Sequence, residues 1–235
     1  MAALQSRALA SAGFSVLQID LHGCGDSSGD FADVSWQHWI DDVLTACAWL
    51  RGRDAAHAKA PLWIWGLRVG CLIAVQAAAQ LDEPSNFCFW QPTIAGQQAL
   101  QQFMRLRLAS DMGSGNSKGL MGQMRQQLAD GKSIDIAGYQ LPPALAQGLQ
   151  AAQLLPVADE RVGRVEWLEL SSNPDYLLSP VAEQVKKRWE DAGYSTSINI
   201  ASGPAFWQTT EIEDAAELIE LTKMRLLTPA DRLVV

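Results

Sequence analysis

A doubly wound α/β domain on a mostly parallel sheet is predicted for this 235-residue chain by three observations. Short apolar runs alternate with amphipathic stretches at helical spacing, the pattern of strands returned to one sheet by crossover helices. Glycines mark the strand ends at Gly13, Gly23, Gly66 and Gly203, where tight turns are needed. Apolar residues make up 48% of the chain, enough at this length to bury one large core and to exclude global disorder.

The elements follow in order. Residues 1–13 read as a helix with apolar positions spaced toward Phe14. Residues 14–20 (Phe-Ser-Val-Leu-Gln-Ile-Asp) read as the first strand, and a glycine-rich turn follows over 23–30. A helix is predicted over 35–50, its apolar face carrying Trp36, Trp39, Ile40, Val43, Leu44 and Trp49. The strand 62–65 and an apolar helix from 69 come next, then a strand over 86–90 stopped by Pro92. From 92 to 161 the alternation gives way to three helical stretches, 97–109, 120–129 and 142–153, with a turn at 113–116. We expect this segment to be a helical cap inserted between two halves of the core, 1–91 and 162–235. The alternation resumes with strand 165–170, helix 181–192 and strand 196–201. A final helix is expected over 211–226, opened by a capping box of Thr210 and Glu213.

The most informative residues are Gly66-Leu67-Arg68-Val69-Gly70, between an apolar strand and an apolar helix. The spacing is that of G-x-S-x-G, the sharp strand-to-helix turn that presents a nucleophile in the α/β-hydrolase fold. We expect both glycines to be demanded by close packing at this turn. The nucleophile position holds Arg68, and a guanidinium stays protonated at ordinary pH and cannot attack a carbonyl.

Composition narrows the function. A net charge of −8, with no basic cluster beyond Lys186-Lys187-Arg188, argues against nucleic-acid binding. No apolar run reaches the length of a membrane span. Cys24, Cys47, Cys71 and Cys88 are scattered without a C-x-x-C pair, so reduced thiols in a cytoplasmic protein are expected. No cofactor or metal motif is present.

Segments 14–30 and 62–74, the runs Trp90-Gln91-Pro92 and Phe103-Met104-Arg105-Leu106-Arg107, Ile136-Ala137-Gly138-Tyr139, and Gly203-Pro204-Ala205-Phe206-Trp207-Gln208-Thr209 together resemble one group. That group is the exosortase A system-associated hydrolase 2 group of the α/β-hydrolase superfamily. The resemblance implies an α/β-hydrolase fold and an association with exosortase, PEP-CTERM and exopolysaccharide systems of Gram-negative bacteria. It also implies a protein partner in envelope biosynthesis, and strands ahead of the residue that is Met1 here. The expectation is therefore a sheet lacking its N-terminal strands, with a fragment of a longer gene as one reading.

A working triad in this fold runs serine, acid, histidine along the chain. Asp175 stands where the acid belongs, but no histidine follows His57, so the general base is missing along with the nucleophile. Two readings of Arg68 remain. In the first, a carboxylate neutralises it, most favourably Glu211, then Asp175, with Asp20 also available. In the second, Arg68 and the following helix N-terminus bind a small anionic or acyl ligand, with Trp65, Trp90, Phe206 and Trp207 lining an apolar cleft beneath the cap. Cys71 and the pair His22 and Cys24 are weaker nucleophile candidates, while His38 and His57 read as helix-face residues. The function expected is a non-catalytic ligand-binding or accessory protein. The alternative is an ester or thioester hydrolase, or an acyltransferase, using unconventional residues.

Overall fold

The computed structural model describes residues 1–111, 119–157, 163–173, 175–209, 211 and 213–228. Helix α1 (Ala2–Ser11) opens the chain and packs on the last helix. Residues 14–20 follow without regular secondary structure, so the expected first strand joins no ladder. Residues 14–19 line an open cleft, and backbone without a partner at strand spacing forms no sheet.

Ser35 caps helix α2 (Trp36–Arg51) through a box with His38, as the polar residue before an apolar-periodic run should. Trp36 and Ile40 are buried. Trp49, expected on the apolar face, is exposed, with the Arg53 guanidinium over its ring. The short helix α3 (Ala55–Lys59) leads to strand β1 (Leu62–Leu67), helix α4 (Gly70–Ala78) and strand β2 (Ser85–Trp90).

The segment after Pro92 holds α5 (Gly96–Asp111), α6 (Leu120–Ala129) and α7 (Pro143–Ala151). It also holds a hairpin that helical periodicity does not foretell, β3 (Ile134–Ile136) and β4 (Tyr139–Leu141), turned by Ala137 and Gly138 at positive φ. The 113–116 turn and the 161/162 boundary lie outside the described residues. Leu100, Met104, Ile134 and Leu145 from this segment pack into one cluster with Trp36 of α2 and Leu72 of α4.

Strand β5 (Arg164–Ser171), helix α8 (Pro180–Asp191), strand β6 (Ser195–Ser202) and helix α9 (Ala216–Leu227) complete the fold. The four long strands form a parallel sheet in the order β1-β2-β5-β6, with β1 at one edge. Helix α9 starts later than expected and has no side-chain cap. The Thr209 hydroxyl donates instead to the carbonyls of Phe206 and Glu211, holding a local turn that competes with helix here. Glu213 lies outside the helix, and Thr210 is not among the described residues.

A second cluster covers the opposite sheet face. Leu9 of α1 and Leu218 and Leu226 of α9 meet Cys88, Trp90, Leu168 and Leu170, with Trp65, Phe206 and Trp207 packed against them. Beneath it, fully buried Glu166 accepts from Arg164 Nη2 at 2.5 Å and Arg225 Nε at 2.9 Å, and also from the Ser197 hydroxyl.

Candidate functional site

The elbow forms as the sequence predicts, and it forms around Arg68. This residue sits at φ +54°, the left-handed conformation that side chains adopt only when their surroundings enforce it. Its N–H donates to the Trp90 carbonyl at 3.0 Å, and its own carbonyl accepts from Thr93 N and Cys71 N, both at 3.2 Å. Gly66 is required: a Cβ there would stand 2.6 Å from Cys71 N. Gly70 is not, since a Cβ there meets nothing within 4 Å, which corrects the expectation of two sterically demanded glycines.

Neither Glu211 nor Asp175 neutralises Arg68. Both are exposed; Glu211 lies in the loop before α9, and Asp175 closes a turn through its N–H to Asn173 Oδ1. Asp20 is occupied by the N–H of Asp26 at 3.0 Å in the glycine-rich turn. Among the described residues no carboxylate lies within salt-bridge distance of Arg68. The guanidinium makes one long hydrogen bond to the Gln91 carbonyl, 3.4 Å, and lies 5.7 Å from the centre of the Trp207 ring. The internal pair fails because the loops after β5 and β6 hold their acids outward in local turns.

The aromatic residues named from the sequence do converge. Trp207 meets Phe206 at 5.1 Å, Phe206 meets Trp90 at 6.1 Å, and Trp90 meets Trp65 at 4.6 Å between ring centres. Trp90 serves the core, being 1% exposed with its N–H on Thr222 Oγ1 at 2.9 Å. The other three are partly exposed. The wall belongs to the cluster of α1 and α9, not to the α5–α7 segment expected to cover it. The indole N–H groups of Trp65 and Trp207 are buried without a hydrogen-bond partner. The orphaned donor of Trp207, whose ring lies under the Arg68 guanidinium, calls for an acceptor.

Sequence reading missed two residues. Glu169 is buried on β5, where it accepts from Trp167 Nε1 at 2.7 Å and Tyr176 OH at 3.4 Å. Burial raises its carboxyl above the usual range, while those donors and the Arg68 charge pull the other way. Gln91, at φ +42°, accepts from Leu170 N through its side chain at 2.6 Å and so ties the elbow to β5. The signal for Glu169 was an acid inside a strand of large apolar residues, one it shares with Glu166.

The remaining nucleophile candidates lose their chemistry. Cys71 is completely buried, its thiol donates to the Gly66 carbonyl, and burial pushes it far above the ordinary thiol range. Cys24 is also raised, by burial and by Asp20 and Asp42, the opposite of an activated thiolate. His22 packs edge-on against His38 at 5.4 Å, and its backbone N–H donates to Asp42. Among the described residues no cluster of metal-ligating side chains exists, and no helix is long and apolar enough to cross a membrane.

Solved α/β-hydrolase structures share this architecture. Est1E from Butyrivibrio proteoclasticus, solved with ferulic acid bound, superposes with a TM-score of 0.67 at 16% identity, covering 96% of this chain and 81% of that one. DcsB, solved with a substrate analogue, gives 0.56 at 18% identity, over 96% of this chain and 85% of the other. A structure from the metagenome-derived lipolytic enzymes LipS and LipT gives 0.56 at 18%, over 96% and 86%. At these identities the likeness establishes the fold. No curated protein matches the chain. The hydrolase family model for serine aminopeptidase, S33, matches residues 3–126, more than half the chain, and the protein therefore belongs to that family of the α/β-hydrolase fold.

Proposed function

We propose that this protein binds a small anionic or acyl ligand at its elbow and does not hydrolyse it. One observation carries the reading: the nucleophile position is an arginine that has no carboxylate partner among the described residues and lies over Trp207, whose buried indole N–H is unsatisfied. A ligand carboxylate or phosphate supplies acceptors for these groups, and its apolar part lies against Trp65, Phe206 and Trp207. Charge-assisted hydrogen bonds to a guanidinium are the strong ones, and the aromatic surface adds apolar burial. The missing histidine removes the general base, so an ester reaching this site meets neither nucleophile nor base.

The resemblance to exosortase-associated hydrolases supports a cytoplasmic accessory role in an envelope polysaccharide or protein-sorting pathway, with a protein of that pathway as partner. The binding claim is tested by titrating benzoate, acetate and phosphate into the protein and following tryptophan fluorescence. Benzoate should bind most tightly and quench. Equal failure of all three to bind or quench refutes the reading, as does turnover of p-nitrophenyl acetate above the buffer rate.

A further inference from the structure

Strand β6 ends the sheet, and among the described residues it pairs with β5 alone. The Ser195 N–H donates to the Gly163 carbonyl and the Gly203 N–H to the Ser171 carbonyl. The odd-numbered residues of β6 therefore turn their main-chain groups toward β5. The pleat then aims the N–H and C=O groups of Thr196, Ile198, Ile200 and Ser202 away from the sheet. Long edges of this kind are ordinarily blunted by a charge, a proline or a bulge. Residues 195–202 (Ser-Thr-Ser-Ile-Asn-Ile-Ala-Ser) carry no charge and no proline, and their register with β5 is unbroken.

We propose that the outer edge of β6 is a dimer interface: two copies of this chain pair their β6 strands antiparallel about a twofold axis, joining both sheets into one. Three features select a second copy as the occupant. The first is register. Only even-numbered residues have main-chain groups to exchange, so even residues must face even residues. With Asn199 on the axis, Thr196 faces the partner's Ser202 and Ile198 faces the partner's Ile200, and every outward-facing residue of both strands is paired. Ile198 packs against the core on the α8 face of the sheet, while Ile200, on the same face, is 42% exposed. The pairing gives that isoleucine an apolar neighbour on each copy. Moving either strand by two residues leaves one isoleucine pair in place of two and strips a strand end, so this register is the favoured one.

The second feature is charge. Each copy carries a net −8, so two copies repel unless they meet at a neutral surface. The edge is such a surface. Strand β6 is uncharged, and α8, which packs on it, carries three acidic and three basic residues. Helix α9, also packed on β6, carries two of each.

The third is uncovered apolar surface beside the strand. Helix α8 returns the chain from the end of β5 to the start of β6, so its first turn stands at the end of the sheet where Ile200 lies. Val181 in that turn is 54% exposed, and Leu177 just before it is 85% exposed. A stable interface buries about 800 Å² per partner, more than one strand edge offers, and this turn extends the contact. A twofold pairing uses the edge of both copies and closes the assembly.

The test cross-links the axis. In the proposed register, residue 199 and its mate form a pair without mutual hydrogen bonds, with Cα atoms about 4.5 Å apart, within reach of a disulfide. Asn199→Cys is placed in a Cys24→Ser chain, which removes the one native thiol that is not buried. Mild oxidation should yield a covalent dimer. Ser195→Cys in the same background should stay uncoupled, because its two copies stand at opposite ends of the paired strands. Sedimentation of the unmodified chain should show twice the mass of one copy. Its amide exchange at 196, 198, 200 and 202 should slow as concentration rises. Ile200→Lys, at an exposed position that tolerates the charge, should weaken the dimer at least tenfold. A chain that stays monomeric at every concentration overturns the proposal. So does a dimer that Ile200→Lys leaves intact and Asn199→Cys fails to link, which would place the contact elsewhere, and so does equal linking by both cysteine variants.

Discussion

Replacing Arg68 with glycine separates a ligand-binding arginine from a structural one. Arg68 occupies a left-handed conformation that costs a non-glycine residue about 1–2 kcal/mol, which glycine recovers, less about 0.5–1 kcal/mol for its greater freedom in the unfolded chain. The substitution removes the cation–π contact with Trp207, about 0.5–1 kcal/mol for a half-exposed pair. The 3.4 Å bond to Gln91 lies at the limit of a hydrogen bond and adds little. These contributions nearly cancel, so urea unfolding should place Arg68→Gly within about 1 kcal/mol of the parent. Anion binding should suffer far more. Losing hydrogen bonds to a charged group costs about 1.5–3 kcal/mol, a weakening of roughly ten- to hundredfold at about 1.4 kcal/mol per decade. Calorimetric titration with benzoate reads that change. Destabilisation by about 3–5 kcal/mol, as for a broken buried pair, with benzoate affinity unchanged, would refute the reasoning.

Other outcomes follow from named contacts. Glu166→Ala leaves Arg164 and Arg225 facing each other without their buried carboxylate, and should cost about 3–5 kcal/mol in urea unfolding; a loss below about 1 kcal/mol would contradict the buried network. Glu169 has a carboxyl raised by burial, so its contribution to stability is full below the ordinary carboxylate range and is lost as pH rises through the raised value. Glu169→Gln should flatten that decline, and parallel stability–pH curves for the two proteins would count against it. Asp54 is held down to about 2, first by the His57 backbone N–H and then by its side chain; its contribution is present above the ordinary value and disappears as pH falls to about 2, which carboxyl NMR titration reads directly. In the native protein a thiol reagent should modify Cys24 alone, with Cys71 reacting only after unfolding. Intact-mass spectrometry after a serine-directed phosphonate should show no adduct.

The parts of this fold set by local chemistry were legible in the sequence. Ser35 before an apolar-periodic run gave the start of α2 to within a residue, and Gly66 with the flanking apolar runs gave the elbow. Parallel, doubly buried strands such as β1 and β2 stand out as short, nearly continuous apolar runs. What failed depended on groups distant in sequence. Residues 14–20 have strand composition, yet a strand exists only where an edge stands at pairing distance, and composition cannot report that. Arg68 was expected to pair with Glu211 because the loops after β5 and β6 return to the same sheet edge. Side-chain direction in those loops is decided instead by the Thr209 and Asn173 turns. Glu169 went unnoticed because its importance lies in its neighbours Trp167 and Tyr176, not in any motif.

The central claim is that Arg68 is an unpaired cation awaiting an acceptor, and a crystal structure of the protein grown with benzoate tests it most directly. The account predicts a carboxylate within about 3 Å of the Arg68 guanidinium, its ring against Trp207 or Phe206. An empty site, with Arg68 turned onto Glu169, Asp175 or Glu211, would contradict it.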